Sequence, residues 1–195
     1  MAMTPAVFLD KDGTVLADVP YNVDPARMAY ARHAQAGLRL LGALGMPLIV
    51  VSNQPGVALG YFPPRALAGM QARLEAMFRA AGARLAGCYW CPHHPDGHLP
   101  AYAGACDCRK PRPGLLLRAA REHRIDLARS WFIGDILDDV EAGNRAGCRT
   151  VLVDAGSETE WRPGAWRAPW ARAGDLRQAA RCVARAAPRP VREAA

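Results

Sequence analysis

Short apolar runs alternate along the chain with longer stretches whose apolar residues recur at helical spacing. This is the pattern of βαβ units wound around a parallel sheet. The runs at residues 6–9, 47–51, 86–90, 131–133 and 150–153 predict five strands. Between them, 34–44, 63–81, 113–123 and 137–146 predict helices, with Pro63, Pro64 and Pro113 in first turns, where a missing N–H breaks no intrahelical bond. A last helix over 175–186 would pack through Leu176, Ala179, Ala180 and Val183, whereas 156–174, with Trp161, Trp166 and Trp170, shows no period. The expected fold class is therefore α/β, a three-layer, doubly wound, Rossmann-like parallel sheet. It should form one domain over residues 1–187, followed by a loose tail at 188–195. No internal repeat or interdomain linker interrupts the pattern.

A length of 195 residues, 51% hydrophobic and 22% charged, suits one globular domain with a sizeable core and excludes collagenous or wholly disordered chains. No apolar run reaches membrane-spanning length and the N-terminus lacks the form of a signal peptide, so a cytoplasmic protein without a membrane partner is expected. Six cysteines in that compartment read as thiols or metal ligands. The formal charge of +7 raises a nucleic-acid reading, yet eight Arg fall between Glu160 and Ala195, away from the motifs below. A solvated Arg-rich face is the simpler account, and no nucleic-acid partner is expected. Lysine is the informative cation: there are only two, Lys11 and Lys110.

In open parallel sheets, ligands bind beyond the carboxyl ends of the strands. The first predicted strand runs into Asp10-Lys11-Asp12-Gly13-Thr14, which sets two carboxylates two residues apart on a sharp turn. A calcium loop would need a Glu at position 12 counted from Asp10, where Tyr21 stands. What remains is a pair in which one carboxylate attacks and the other trades a proton. The second strand ends in Ser52-Asn53-Gln54, a hydroxyl and two amides able to receive phosphoryl oxygens, although such residues also serve ordinary turns. The fourth ends in Gly134-Asp135, followed by Asp138 and Asp139, which read as charges on a helix first turn. Lys110, in Arg109-Lys110-Pro111, adds a compensating cation.

Cys91, His93, Cys106 and Cys108 form a C-x-H-x12-C-x-C pattern, two short claws with the ligand types of a closed structural zinc site. His94 and His98 are alternative nitrogen ligands, and Cys88, Cys148 and Cys182 read as buried thiols. Because Arg109 and Lys110 follow Cys108 at once, a zinc ion would brace the loop that delivers both cations.

Taken in order, these motifs resemble the haloacid dehalogenase (HAD) superfamily of phosphohydrolases. The resemblance implies Asp10 as nucleophile, Asp12 as acid and base, and Ser52 and Lys110 as phosphoryl-binding catalytic groups. It also implies Mg2+ held by Asp10, the Asp12 carbonyl and Asp135, with the first strand lying beside the fourth. Only 39 residues separate Asp12 from Ser52 and 55 separate Gln54 from Lys110, too few for a cap domain. With the cysteine loop at 91–108 included, residues 6–153 resemble the zinc-containing D-glycero-D-manno-heptose 1,7-bisphosphate 7-phosphatases, which serve ADP-heptose and lipopolysaccharide precursor synthesis, and the related histidinol-phosphate phosphatases. That likeness implies a phosphorylated sugar as partner and a substrate pocket from Asp18, Tyr21, Ser52, Asn53, Gln54, Arg109 and Lys110. Val19-Pro20 stands where this group more usually has a glycine before the tyrosine.

Arg109 favours a bisphosphate over histidinol phosphate. A nucleic-acid 3′-phosphatase would need the C-terminal Arg residues to hold a backbone. A non-catalytic zinc-stabilised module would usually lack one of the four charged motif residues, all of which are present here. A monomer is expected.

Overall fold

The computed structural model describes residues 3–186, so the predicted tail at 188–195 lies outside the described residues. Six parallel strands form one sheet: β1 (Val7–Leu9), β2 (Leu48–Asn53), β3 (Leu85–Cys91), β4 (Trp131–Gly134), β5 (Arg149–Val153) and β6 (Ala171–Ala173), in the order β3-β2-β1-β4-β5-β6. β1 is fully buried and pairs with β2 on one side and β4 on the other, Leu9 aligning with Val50 and Ile133. That register brings the ends of three motif-bearing strands together where the strand order reverses.

The sheet is covered on both faces, which is why its two central strands, β1 and β4, carry no charged, hydroxyl or amide side chain. On one face Val7, Leu9, Val50 and Ile133 pack with α1 (Ala34–Gly42), α2 (Ala66–Ala80) and α5 (Leu176–Ala186). On the other, Phe8, Ile49, Val51 and Phe132 pack with α3 (Gly114–His123) and α4 (Leu137–Ala146). α5 docks as predicted through Leu176, Ala179, Ala180 and Val183, all 1% exposed or less. Burying a side chain the size of Leu or Val contributes about 1.5–3 kcal/mol. The close approach of α5 to α1 depends on Gly37, where a Cβ would sit 2.7 Å from the Leu176 backbone.

Some elements depart from expectation. β6 is an edge strand of three residues inside the segment that shows no period, and its pairing with β5 is a tertiary contact that no local alternation announces. α2 begins at Ala66 because Pro63 and Pro64 make the preceding turn, with the Ala66 N–H donating to the Pro63 carbonyl. Short 3-10 turns occur at Pro25–Arg27 and Leu127–Arg129, each capped by an Asp side chain. Cys148 is buried, but Cys88 and Cys182 are only half-buried, one on edge strand β3 and the other off the packed stripe of α5.

Between β1 and β2 the chain holds a loop, a 3-10 turn and α1, and between β2 and β3 only a loop and α2, so no cap domain is present among the described residues. After β1 the chain folds back on itself: Leu16 bridges Tyr30, and Ala17 and Ala31 donate to Ala29 and Val15. This ribbon carries the loop from Asp18 to Asp24 beside the strand ends. No helix among the described residues is long and apolar enough to cross a membrane.

Candidate active site and cysteine cluster

A cleft of about 200 Å³ opens at the carboxyl ends of β1, β2 and β4, lined by Asp10, Asp12, Asp18, Ser52, Lys110 and Asp135, with Asn53, Ile136 and Ser157 completing it. Asp10 follows β1 and donates its backbone N–H to Ile133, so the sheet register itself sets it against Asp135. Gly13 makes the approach possible. It adopts φ +75°, and a Cβ at this position would collide with the Asp135 carboxylate. The Thr14 hydroxyl then donates to Asp135 Oδ1 at 3.2 Å.

Lys110 is 3% exposed and donates to both Asp10 Oδ1 and Asp139 Oδ1 at 2.5 Å, above the Phe132 ring. Burial pulls its pKa down, but the two carboxylates overcome this and hold the ammonium above its ordinary range. The Lys110 backbone is fixed as firmly: its N–H donates to Asn53 Oδ1, and Asn53 Nδ2 donates to its carbonyl. The Asn53 amide is therefore engaged in placing Lys110 even though the residue lines the cleft.

Asp139 does more than its expected role as a first-turn charge. Its Oδ2 accepts from the Asp135 and Ile136 backbone N–H groups and so caps α4, while Oδ1 meets Lys110, all at 1% exposure. Its place at the third position of α4, four residues after Asp135, is the signal that could have found it, since a carboxylate there can reach back to the N–H groups just ahead of the helix. Burial pushes Asp139 up to about 7, with Lys110 opposing the rise. Ser157, on the segment after β5, is a further lining residue that periodicity does not reveal.

Asp12 points across the cleft, with Lys11 Nζ on Oδ1 at 2.8 Å and Gln54 Nε2 within 3.4 Å of Oδ2. Burial raises its pKa to about 6, against the pull of Lys11, so this carboxyl holds a proton more readily than an ordinary aspartate. Gln54, 3% exposed, also donates to Ser52 Oγ at 3.0 Å. Asp18 lies in the cleft wall, whereas Tyr21 and Arg109 lie outside the lining. Tyr21 is half exposed and meets Tyr61 edge to face, and Arg109 reaches the His93 carbonyl at 3.4 Å.

Ligand oxygens of Asp10, Asp135 and Asp139 all lie within 4.8 Å of one another. Three buried carboxylates thus lie together, with one ammonium bonded to two of them, Asp10 and Asp139. Both Asp139 oxygens are engaged by Lys110 and the α4 backbone, and Asp135, without a cationic partner of its own, is pushed up to about 8 by burial and then by Asp10. This donor set fits a divalent cation bound between Asp10 and Asp135, and its hard oxygens suit Mg2+.

Cys91, at the end of β3, meets His93, Cys106 and Cys108 in a second cluster whose ligand atoms also fall within 4.8 Å. Its sulfur–sulfur separations are 3.1–3.5 Å, and His93 Nδ1 lies 3.4 Å from Cys108 Sγ and 3.8 Å from Cys91 Sγ. Tetrahedral zinc with Zn–S near ~2.3 Å would set these edges at roughly 3.8 Å, so a small expansion accommodates it. Burial, then the Cys108 thiol, pushes Cys91 up. Burial also acts on Cys106, but the Cys108 thiol and nearby backbone N–H groups bring it down. His94 stays out of the cluster, its Nδ1 accepting from the Asp96 N–H.

Comparison with known proteins agrees with this geometry. Residues 107–179 match the model of the HAD-hydrolase-like family. The D-glycero-beta-D-manno-heptose-1,7-bisphosphate 7-phosphatase of Yersinia pestis is 38% identical over 153 residues, 78% of this chain and 81% of that protein. The enzyme of the same name from Escherichia coli K12 is 37% identical over 78% and 80% of the two chains. The crystal structure of D,D-heptose 1,7-bisphosphate phosphatase from B. bronchiseptica, complexed with magnesium and phosphate, superposes with a TM-score of 0.81 at 27% identity, covering 94% of this chain and all of that one.

Proposed function

Since the chain belongs to the D-glycero-beta-D-manno-heptose-1,7-bisphosphate 7-phosphatase family, we propose that it removes the 7-phosphate of a D-glycero-D-manno-heptose 1,7-bisphosphate through an aspartyl-phosphate intermediate. The observation that carries the reading is the convergence of Asp10, Asp12, Lys110 and Asp135 in one cleft.

Asp10 is the nucleophile: its carboxylate attacks phosphorus as the bond from phosphorus to the C7 oxygen breaks. Asp12 gives its proton to the departing oxygen, a role that its raised pKa supports. Water then attacks the aspartyl phosphate and passes a proton to Asp12; the bond from phosphorus to Asp10 breaks, releasing inorganic phosphate, restoring the Asp10 carboxylate and leaving Asp12 protonated for the next cycle. Lys110 and Ser52 receive the charge of the transferring group, with Lys110 kept in place by Asp139 and Asn53. Asp10 and Asp135 would hold Mg2+, which when bound would supply further charge neutralisation for the transferring group. Zinc at Cys91, His93, Cys106 and Cys108 fixes the loop that leads to Lys110 and takes no part in bond breaking.

Asp18, Tyr21, Gln54 and Arg109 surround the sugar-binding side in this reading, with Arg109 offered to the second phosphate. The reading also places the protein in the cytoplasm, where its six free cysteines stay reduced, acting as a monomer whose own loops select the substrate. The test is Asp10→Asn. Turnover of heptose bisphosphate should vanish while the variant still folds and keeps its zinc, and retained turnover would exclude Asp10 as nucleophile.

A further inference from the structure

Lys11 is the other lysine of the chain, and the chemistry above leaves it without a task. It lies between Asp10 and Asp12, and its side chain is turned inward at 1% exposure. A buried ammonium costs several kcal/mol of desolvation, which a fold retains only with good partners. Lys11 has two. Its Nζ lies 2.8 Å from Asp12 Oδ1 and donates to the Asn22 carbonyl at 3.3 Å.

These contacts have directional consequences. With an ammonium against Oδ1, the proton of a neutral Asp12 belongs on Oδ2. That oxygen lies near Gln54 Nε2, which itself donates to Ser52 Oγ in the cleft. Gln54 approaches Oδ2 only to 3.4 Å, a weak contact that leaves the oxygen available to a leaving group. Asn22, meanwhile, belongs to the loop that carries Asp18 into the cleft wall, and its own side chain accepts from the Asp24 N–H. One cation therefore ties the proposed acid to the loop bordering the substrate.

We propose that Lys11 is a positioning residue: it fixes the Asp12 carboxyl with Oδ2 towards the leaving oxygen and locks the loop around Asn22 to that carboxyl. The inference rests on Asp12 being the acid, as argued in the preceding section.

Leaving-group dependence tests it, because an alkoxide needs the proton and p-nitrophenolate hardly does. A general acid supplies about 10²–10⁴-fold, so Lys11→Met should lower kcat on heptose bisphosphate at least about tenfold more than on p-nitrophenyl phosphate. Lys11→Arg, which keeps a cation able to reach both partners, should restore most of the difference. Thermal melts and zinc content follow the fold of each variant. Should Lys11→Met not fold, Lys11→Gln, which retains a donor for the Asn22 carbonyl without the charge, carries the comparison. Equal losses on both substrates, or none on either, would overturn the role of Lys11. Asp12→Asn is measured alongside: a split there but not at Lys11 removes only this proposal, whereas no split at Asp12 removes the acid assignment beneath it.

Discussion

Replacing Asp139 by asparagine removes one of the two carboxylates that hold Lys110 and offers nothing equivalent. Asp139 meets a donor on each side, the Lys110 ammonium at Oδ1 and the Asp135 and Ile136 N–H groups at Oδ2. An asparagine has one acceptor oxygen, so either orientation turns its NH2 group against a donor. Both Asp139 and Lys110 are almost fully buried, and water cannot take over the lost bond. Removing one partner of such a pair costs about 3–5 kcal/mol, which for a chain of this size lowers the melting temperature by roughly 6–20 °C. Turnover should fall with it, because Lys110 relaxes towards Asp10 and away from the phosphoryl position. The assay is a thermal melt at fixed Mg2+ and zinc, paired with kcat at a temperature where the variant is folded. A melt within about 1 kcal/mol of the parent, together with unchanged kcat, would refute the reasoning and return Asp139 to the rank of an ordinary helix cap.

Gly13→Ala should cost about 1–2 kcal/mol through its left-handed backbone and displace Asp135, so the Mg2+ concentration giving half-maximal rate should rise; an unchanged Mg2+ requirement would contradict the approach described at Gly13. Cys108→Ser and His93→Ala should each lose zinc, lower the melting temperature and reduce turnover, while His94→Ala retains zinc, and metal analysis of the three variants decides between the two histidines. Because phosphoryl transfer requires the Asp12 proton and that pKa is raised to about 6, kcat/KM should be highest below this value and fall as pH rises through it. A profile flat from pH 5 to 8 would count against Asp12 as the acid.

The residues that sequence reading places well are those whose chemistry is local. Asp10, Asp12, Ser52 and Asp135 each follow a short apolar run, and a parallel sheet gathers such positions at one end whatever the details of packing. The cysteine cluster is legible for a similar reason: two ligand pairs with one residue between the members of each can close on one ion without knowledge of the rest of the fold. What escapes is set by distance. Asp139 looks like a cap because capping is part of what it does, and its second contact, with Lys110, crosses 29 positions. β6 contains only Ala171, Arg172 and Ala173 and exists through its ladder with β5. Asn53 reads as a free amide in sequence, yet its oxygen and nitrogen are taken by the Lys110 backbone, 57 positions away. Lys11 is conspicuous as one of two lysines, but its inward turn depends on where Asn22 lies.

The account is tested most directly by phosphate release in the presence of Mg2+ from both anomers of D-glycero-D-manno-heptose 1,7-bisphosphate, fructose 1,6-bisphosphate and histidinol phosphate, compared as kcat/KM on one preparation. Release from C7 of one heptose anomer, favoured about a hundredfold or more over the other compounds, is the predicted result. Preference for histidinol phosphate, or no turnover of any of the four, would contradict it.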